Sequence, residues 1–238
     1  MRDEFKNNCW FKRYLPHYNT DQKYQMITYR LADSLPQKIV RNLGAPQDSA
    51  GAKDSDLERR KITEENLDKG FGSCLLGIPE VAEEVVENWK YFHGIKYELI
   101  TYVVMPNHVH VLIKVINNHQ LSKIVWGWKT QISKFVNKRS DLYEKFLFFY
   151  EKSDDFNGYG TAPDERKRHL KPAKSCGAPG NSNSKVYKPS IWHREYWDRF
   201  IRNENHFKSA LNYIHQNPVK AGLVKNDSDW QWSSAAIN

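Results

Sequence analysis

The chain has 238 residues, with 36 Lys and Arg against 28 Asp and Glu and a formal charge of +8. That length holds one sizeable core, or one domain with long insertions, and the charge suits a polyanionic partner, nucleic acid or anionic membrane alike. Cys9, Cys74 and Cys176 are odd in number and lack CxxC spacing, which excludes a disulfide framework or zinc ribbon. Without an apolar signal core at the start, or any run of about 18 apolar residues, the expectation is a soluble protein of a reducing cytoplasm.

Residues 1–24 are polar and aromatic, with Trp10, Phe11, Tyr14 and Tyr18 around Pro16, and read as an extended arm. Residues 25–31 alternate Met26, Thr28 and Arg30 against Ile27, Tyr29 and Leu31, the pattern of a strand. A shift to Gly, Ala, Ser, Asp and Pro marks a mobile insertion at about 44–56, followed by a short charged helix over 57–68 that Gly70 ends. Pro79 opens a helix over 79–92, with Val81, Val85, Asn88, Trp89 and Phe92 as its stripe. Its exposed Glu83, Glu84 and Glu87 should point away from any nucleic acid.

Residues 97–104 and 108–115 are β-branched-rich runs around Met105-Pro106-Asn107, a hairpin signal. On the second run Val109, Val111, Ile113 and Val115 share one face, and His108, His110, Leu112 and Lys114 the other. The Cα atoms of the two histidines should lie about 6.6 Å apart, so their imidazoles can converge on one ion or one phosphate. Residues 121–138 carry Leu121, Ile124, Val125, Trp128, Ile132, Phe135 and Val136 at helical spacing. Lys123, Lys129 and Lys134 lie on that helix with no acid between His119 and Ser140, which reads as a phosphate-contacting surface.

Residues 151–190, rich in Gly, Pro, Ser and Asn and containing Arg166-Lys167-Arg168, read as a second flexible insertion. A charged strand is expected over 191–201, where Arg194 and Arg199 are candidate DNA contacts. Asn203 or Asn205 then caps a helix to about 216, on which Tyr213 and Asn217 share a neighbouring face, and Pro218 forces an exit. Trp230 to Ser234 should pack on the body as a tail. Strands and helices in this order make an α+β fold, mostly antiparallel, with helices over one sheet in a single domain. The 8 Trp, 13 Tyr and 11 Phe supply core material as well as stacking surfaces for unpaired bases.

Several stretches together carry a resemblance. Val104-Met105-Pro106-Asn107-His108-Val109-His110-Val111-Leu112 looks like the His-hydrophobic-His motif of the HUH nucleases. With 192–201, 213–224, Arg13-Tyr14-Leu15-Pro16 and 28–36, the chain resembles the single-tyrosine transposases of bacterial insertion sequences and their domesticated relatives, the REP-associated tyrosine transposases. The resemblance implies a ferredoxin-like sheet with the histidines on a central strand, and His108 and His110 as ligands of Mg²⁺ or Mn²⁺. It makes Tyr213 the nucleophile that leaves a 5′-phosphotyrosine, and Asn217 the further metal ligand, with His215 and Gln216 competing for that place. Tyr196 is the rival nucleophile. The implied substrate is single-stranded DNA carrying imperfect hairpins, handled by a monomer in a bacterial cytoplasm near the nucleoid. Phenol, with a pKa near 10, needs a metal to ease its attack on a phosphodiester, whereas two imidazoles alone would suit zinc equally. A non-cleaving hairpin-binding protein and a metal hydrolase without a covalent step are the competing classes.

Overall fold

The computed structural model describes residues 10–12, 16–18, 23–36, 39, 52–152 and 189–236. A small antiparallel hairpin comes first, β1 (Trp10–Lys12) with β2 (Pro16–Tyr18), where an irregular arm was expected. The main sheet holds β3 (Tyr24–Arg30), β4 (Tyr97–Val104), β5 (His108–Val115) and β6 (Trp197–Phe200) in the order β4-β5-β3-β6. Every neighbouring pair is antiparallel. Between β3 and β4 lie α1 (Ala52–Leu67) and α2 (Pro79–Tyr91). Between β5 and β6 lie α3 (Leu121–Lys138) and α4 (Ser140–Lys152), and α5 (Glu204–Lys220) follows the sheet. The strand order and the helical crossovers make two split βαβ units, the ferredoxin-like arrangement.

The period-two pattern of β5 decides which layer goes where. Val109, Val111 and Ile113 join Ile27 and Tyr29 under α2 and α3, burying Val81, Val85, Trp89, Ile124, Trp128 and Ile132. Leu112 faces the other way with Met26 and Val103, beneath Ala210 and Ile214 of α5. A one-residue slip would exchange the two sets, so burial on both faces fixes the register. Of the aromatic residues on the expected stripes, Trp89 and Trp128 are fully buried, while Phe92 and Phe135 pack partly buried against the same core. The Trp89 indole donates to the Tyr29 hydroxyl at 3.1 Å, the Trp128 indole to the Tyr97 hydroxyl at 2.9 Å, and Tyr97 Oη to the Trp89 carbonyl at 2.7 Å.

Four boundaries differ from expectation. Helix α1 starts at Ala52, inside the stretch read as an insertion; that stretch has no Gly or Pro after Gly51, and Thr63, Asn66 and Leu67 are buried farther along the helix. Helix α4 was not foreseen, because the aromatic run Phe146 to Tyr150 hides the spacing of its buried Leu142, Tyr143 and Phe146. Strand β6 is four residues long, preceded by an isolated bridge from Trp192 to Leu31. Helix α5 continues through Pro218, where the ring costs a single bond in the last turn. The Ala221 amide reaches the Asn217 carbonyl and the Leu223 amide the Pro218 carbonyl, both at 2.9 Å, and they close the end. The insertion at 153–188, with its basic triplet, and residues 44–51 lie outside the described residues.

Residues 230–234 dock on β4 as expected. The Val104 amide donates to the Trp232 carbonyl and the Trp230 indole to the Val104 carbonyl, both at 2.9 Å. This covers the outer edge of β4, which would otherwise be a template for another strand. Among the described residues no helix is long and apolar enough to cross a membrane.

Candidate active site

The two histidines project from the central strand toward α5, and both are buried. Asn107, the last residue of the Pro-Asn break, holds His108. Its Nδ2 donates to the Leu67 and Phe71 carbonyls, at 3.2 and 3.0 Å, which aims Oδ1 at His108 Nδ1 2.8 Å away. An amide oxygen can only accept, so His108 carries its proton on Nδ1 and keeps the Nε2 lone pair open. His110 is paired across the ladder with Thr28, and its Nδ1 lies 2.7 Å from Thr28 Oγ1. Donation from Nδ1 to that hydroxyl leaves Nε2 open here as well. The rings meet edge to face with centroids 4.9 Å apart.

Burial, with the charges of Arg30 and Lys220, pulls the His108 pKa down to about 3. Burial, with His108, Arg60 and Lys220 nearby, pulls His110 well below the usual imidazole value. Both rings are neutral at physiological pH, the form that ligates metals.

Helix α5 brings the remaining groups. The Tyr213 ring stands edge to face on His110, with centroids 5.2 Å apart. Its phenol is pushed well above the ordinary value, first by burial and then by the Glu64 carboxylate, while Asn217 pulls the other way. One turn later Asn217 is buried, with Nδ2 donating to the Tyr213 carbonyl at 3.3 Å. Its Oδ1 is buried with no hydrogen-bond partner among the described residues. Such an orphaned acceptor costs about 1–3 kcal/mol unless something occupies it. Among the described residues no cluster of three His, Cys, Asp and Glu forms a metal site. Asn217 Oδ1 is a buried oxygen donor on the helix that faces the histidines. The residues fit a divalent ion: two neutral imidazoles, one amide oxygen, and open positions for phosphate oxygens.

The competing residues are turned elsewhere. His215 Nε2 lies 2.8 Å from Thr101 Oγ1 and 3.2 Å from Ser234 Oγ, at the docked tail. Gln216 Nε2 donates to Asp227 at 2.9 Å. Tyr196 is buried on the opposite face of the sheet, in the cluster under α2 and α3, with Lys129 Nζ 5.6 Å from its ring centre.

The expected DNA contacts divide in the same way. Lys129 turns inward, and its ammonium donates to the carbonyls of His193, Arg194 and Glu195 at 3.0, 3.3 and 3.5 Å. That replaces its expected phosphate contact with a structural staple between α3 and the approach to β6. Burial, more than Glu195 restores, pulls its pKa down to about 7. Lys123 and Lys134 are exposed, but α3 lies on the face of the sheet away from the histidines. Arg194 is exposed beside Glu195, its Nε 3.8 Å from that carboxylate. Arg199 lies on the histidine face opposite Met26 and lines an open groove of about 340 Å³ with Tyr213 and Arg60. Sequence reading missed α1 as part of this site. Its Arg60 and Glu64, with Asp68 just past its end, stand beside Tyr213, Asp68 meeting Lys220 at 3.4 Å. A charged helix outside the histidine motif gave no sign of that placement.

Residues 76–165 match the family model described as "Transposase IS200 like". Over that stretch the chain is similar to the IS200-like transposases. That match takes in the histidine hairpin, α2 and α3 but neither Tyr213 nor Asn217. A putative REP-associated tyrosine transposase of Haemophilus influenzae is 24% identical over 140 residues, 58% of this chain and 58% of that protein. The REP-associated tyrosine transposase of Escherichia coli is 42% identical over 45 residues, 19% of this chain and 27% of that protein. The chain therefore spans less than two thirds of each of these relatives. A solved REP-associated tyrosine transposase bound to a REP hairpin aligns at a TM-score of 0.45 with 16% identity, over 94% of this chain and 82% of that one.

Proposed function

We propose that this chain nicks and rejoins single-stranded, hairpin-bearing DNA through a phosphotyrosine on Tyr213. The observation that carries the reading is two neutral histidines on one face of the sheet, the Tyr213 ring set edge to face on His110, and the orphaned amide oxygen of Asn217 one turn along the same helix. The similarity to REP-associated tyrosine transposases supports DNA as the substrate class.

His108, His110 and Asn217 would hold Mg²⁺ or Mn²⁺. Such an ion supplies charge for the phosphate oxygens and eases loss of the phenolic proton. The chain's own residues do the rest. Asn107 and Thr28 fix the two imidazoles, so the site is organised before substrate arrives. Tyr213 is held by a helix rather than a loop, which limits its motion during in-line attack. Attack by Tyr213 Oη on the scissile phosphorus forms the P–O bond to tyrosine and expels the deoxyribose 3′-oxygen, which leaves as the 3′-hydroxyl. Return attack by a 3′-hydroxyl reverses the step and rejoins DNA. The reading also has the protein acting as a monomer in the cytoplasm.

The test is cleavage. His108→Ala and His110→Ala should each abolish nicking of a single-stranded hairpin oligonucleotide in Mn²⁺ while binding survives. Cleavage by the double variant at the wild-type rate would refute the assignment.

A further inference from the structure

We infer that the groove between α1 and α5, with the hollow beside it, is a seat for single-stranded DNA on the flank of Tyr213, gripped by Arg60 and Arg199 in the groove and Arg202 in the hollow. The inference deepens the nicking reading and rests on it for the identity of the anion. The three arginines come from three places in the chain: α1, β6 and the turn before α5. They nevertheless converge: Arg60 and Arg199 line the groove with His206 and Tyr213, and Arg202 lines the hollow on the other side of the 206–207 turn of α5. Arg60 is held through Nε by Glu64 at 2.8 Å, which leaves its terminal nitrogens to the groove. Arg199 and Arg202 repel each other, an arrangement that a polyanion relieves.

His206 adds a neutral donor. Its backbone amide is capped by Asn203 Oδ1 at 2.9 Å, and its Nδ1 accepts the Arg202 amide at 3.2 Å. The ring proton therefore sits on Nε2 and is available to a phosphate oxygen or a base edge.

Beside this groove is a second hollow lined by Tyr24, Ile201, Arg202 and Phe207. Tyr24 and Phe207 meet edge to face at 5.0 Å and are only partly buried. Cations spaced along a channel, next to aromatic rings, are what an unpaired strand uses for its phosphates and bases. Helix α1 lies outside residues 76–165 and builds one wall of the channel.

The experiment measures binding of a twenty-nucleotide oligo(dT) against salt, using the full chain. Arg199→Gln with Arg202→Gln should lower the slope of log affinity against log salt by about 0.7 for each lost phosphate contact. Lys90→Gln with Lys145→Gln removes the same charge from the opposite side and should leave the slope unchanged. Phe207→Leu should weaken binding at every salt concentration with the slope intact, as loss of stacking requires. Thermal melts confirm that each variant is folded. Equal slopes for the two double variants would overturn the inference, as would wild-type protein that fails to bind oligo(dT). The two readings separate cleanly. A Tyr213 adduct with an unchanged slope keeps the nicking reading and removes the groove. A changed slope with an intact cognate hairpin does the reverse.

Discussion

Asn107 illustrates how much of this site is decided beside its ligands. Its side chain ties the turn to α1 through Leu67 and to residue 71, and only then can its oxygen fix His108. Asn107→Ala should cost about 10–100-fold in Mn²⁺ affinity, read by calorimetry, because the imidazole loses its fixed tautomer and orientation. Unchanged affinity would show that Asn107 serves the turn alone. The two histidines were legible because β5 alternates and period two puts both on one face. Thr28 and Asn107 were not legible as their orienters, since a strand's cross-ladder partner is unknown until the register is. Tyr213 and Asn217 were legible as neighbours four apart on a helix. That Tyr213 sets its ring edge to face on His110 while Tyr196 is buried on the far face needed the fold.

At the scale of elements, long periodic segments were read well: β3, both hairpin strands, α2 and α3 lie within a residue or two of expectation. Failures came where local chemistry competes with period. Pro218 breaks a helix interior but costs little one turn from the end, and the aromatic run of α4 has strand propensity that packing overrides. The aromatic network offers a direct test of the α2–α3 layer. Tyr97→Phe leaves the buried Trp128 indole N–H without its acceptor and should cost about 1–3 kcal/mol in denaturant unfolding. A loss below about 0.3 kcal/mol would mean that water or a neighbour replaces the hydroxyl. The docked tail makes a second prediction. Truncation after Asp229 bares the β4 edge at Val104 and Tyr102 and should produce concentration-dependent association by light scattering. A monodisperse truncated protein with an unchanged melt would show that the edge needs no cover.

For the whole molecule, charge and titration set the conditions under which the fold and site coexist. The glutamates of α2 lie on the sheet face away from the histidines, and the arginine groove lies on the same face as Tyr213. The buried neutral histidines make stability depend on acid. The His108 pKa is about 3 when folded, against an ordinary 6.5 when unfolded. The unfolded chain therefore takes up the proton first as pH falls. The His108 contribution to stability should be flat above about pH 6.5 and decline toward pH 3, at up to about 1.4 kcal/mol per pH unit. Denaturant melts of wild type and His108→Gln check this, and an equal decline in both would contradict it. Mn²⁺ at pH 7 should raise the melting temperature of wild type and not of the His108→Ala, His110→Ala double variant.

The covalent step decides the account. Incubating the protein with its cognate single-stranded hairpin DNA and Mn²⁺ should give a denaturation-resistant adduct, and peptide mapping should place the phosphate on Tyr213. Tyr213→Phe should lose the adduct and keep binding, since the ring on His110 remains. An adduct on Tyr196, or a correctly bound hairpin that stays intact with metal present, would contradict it.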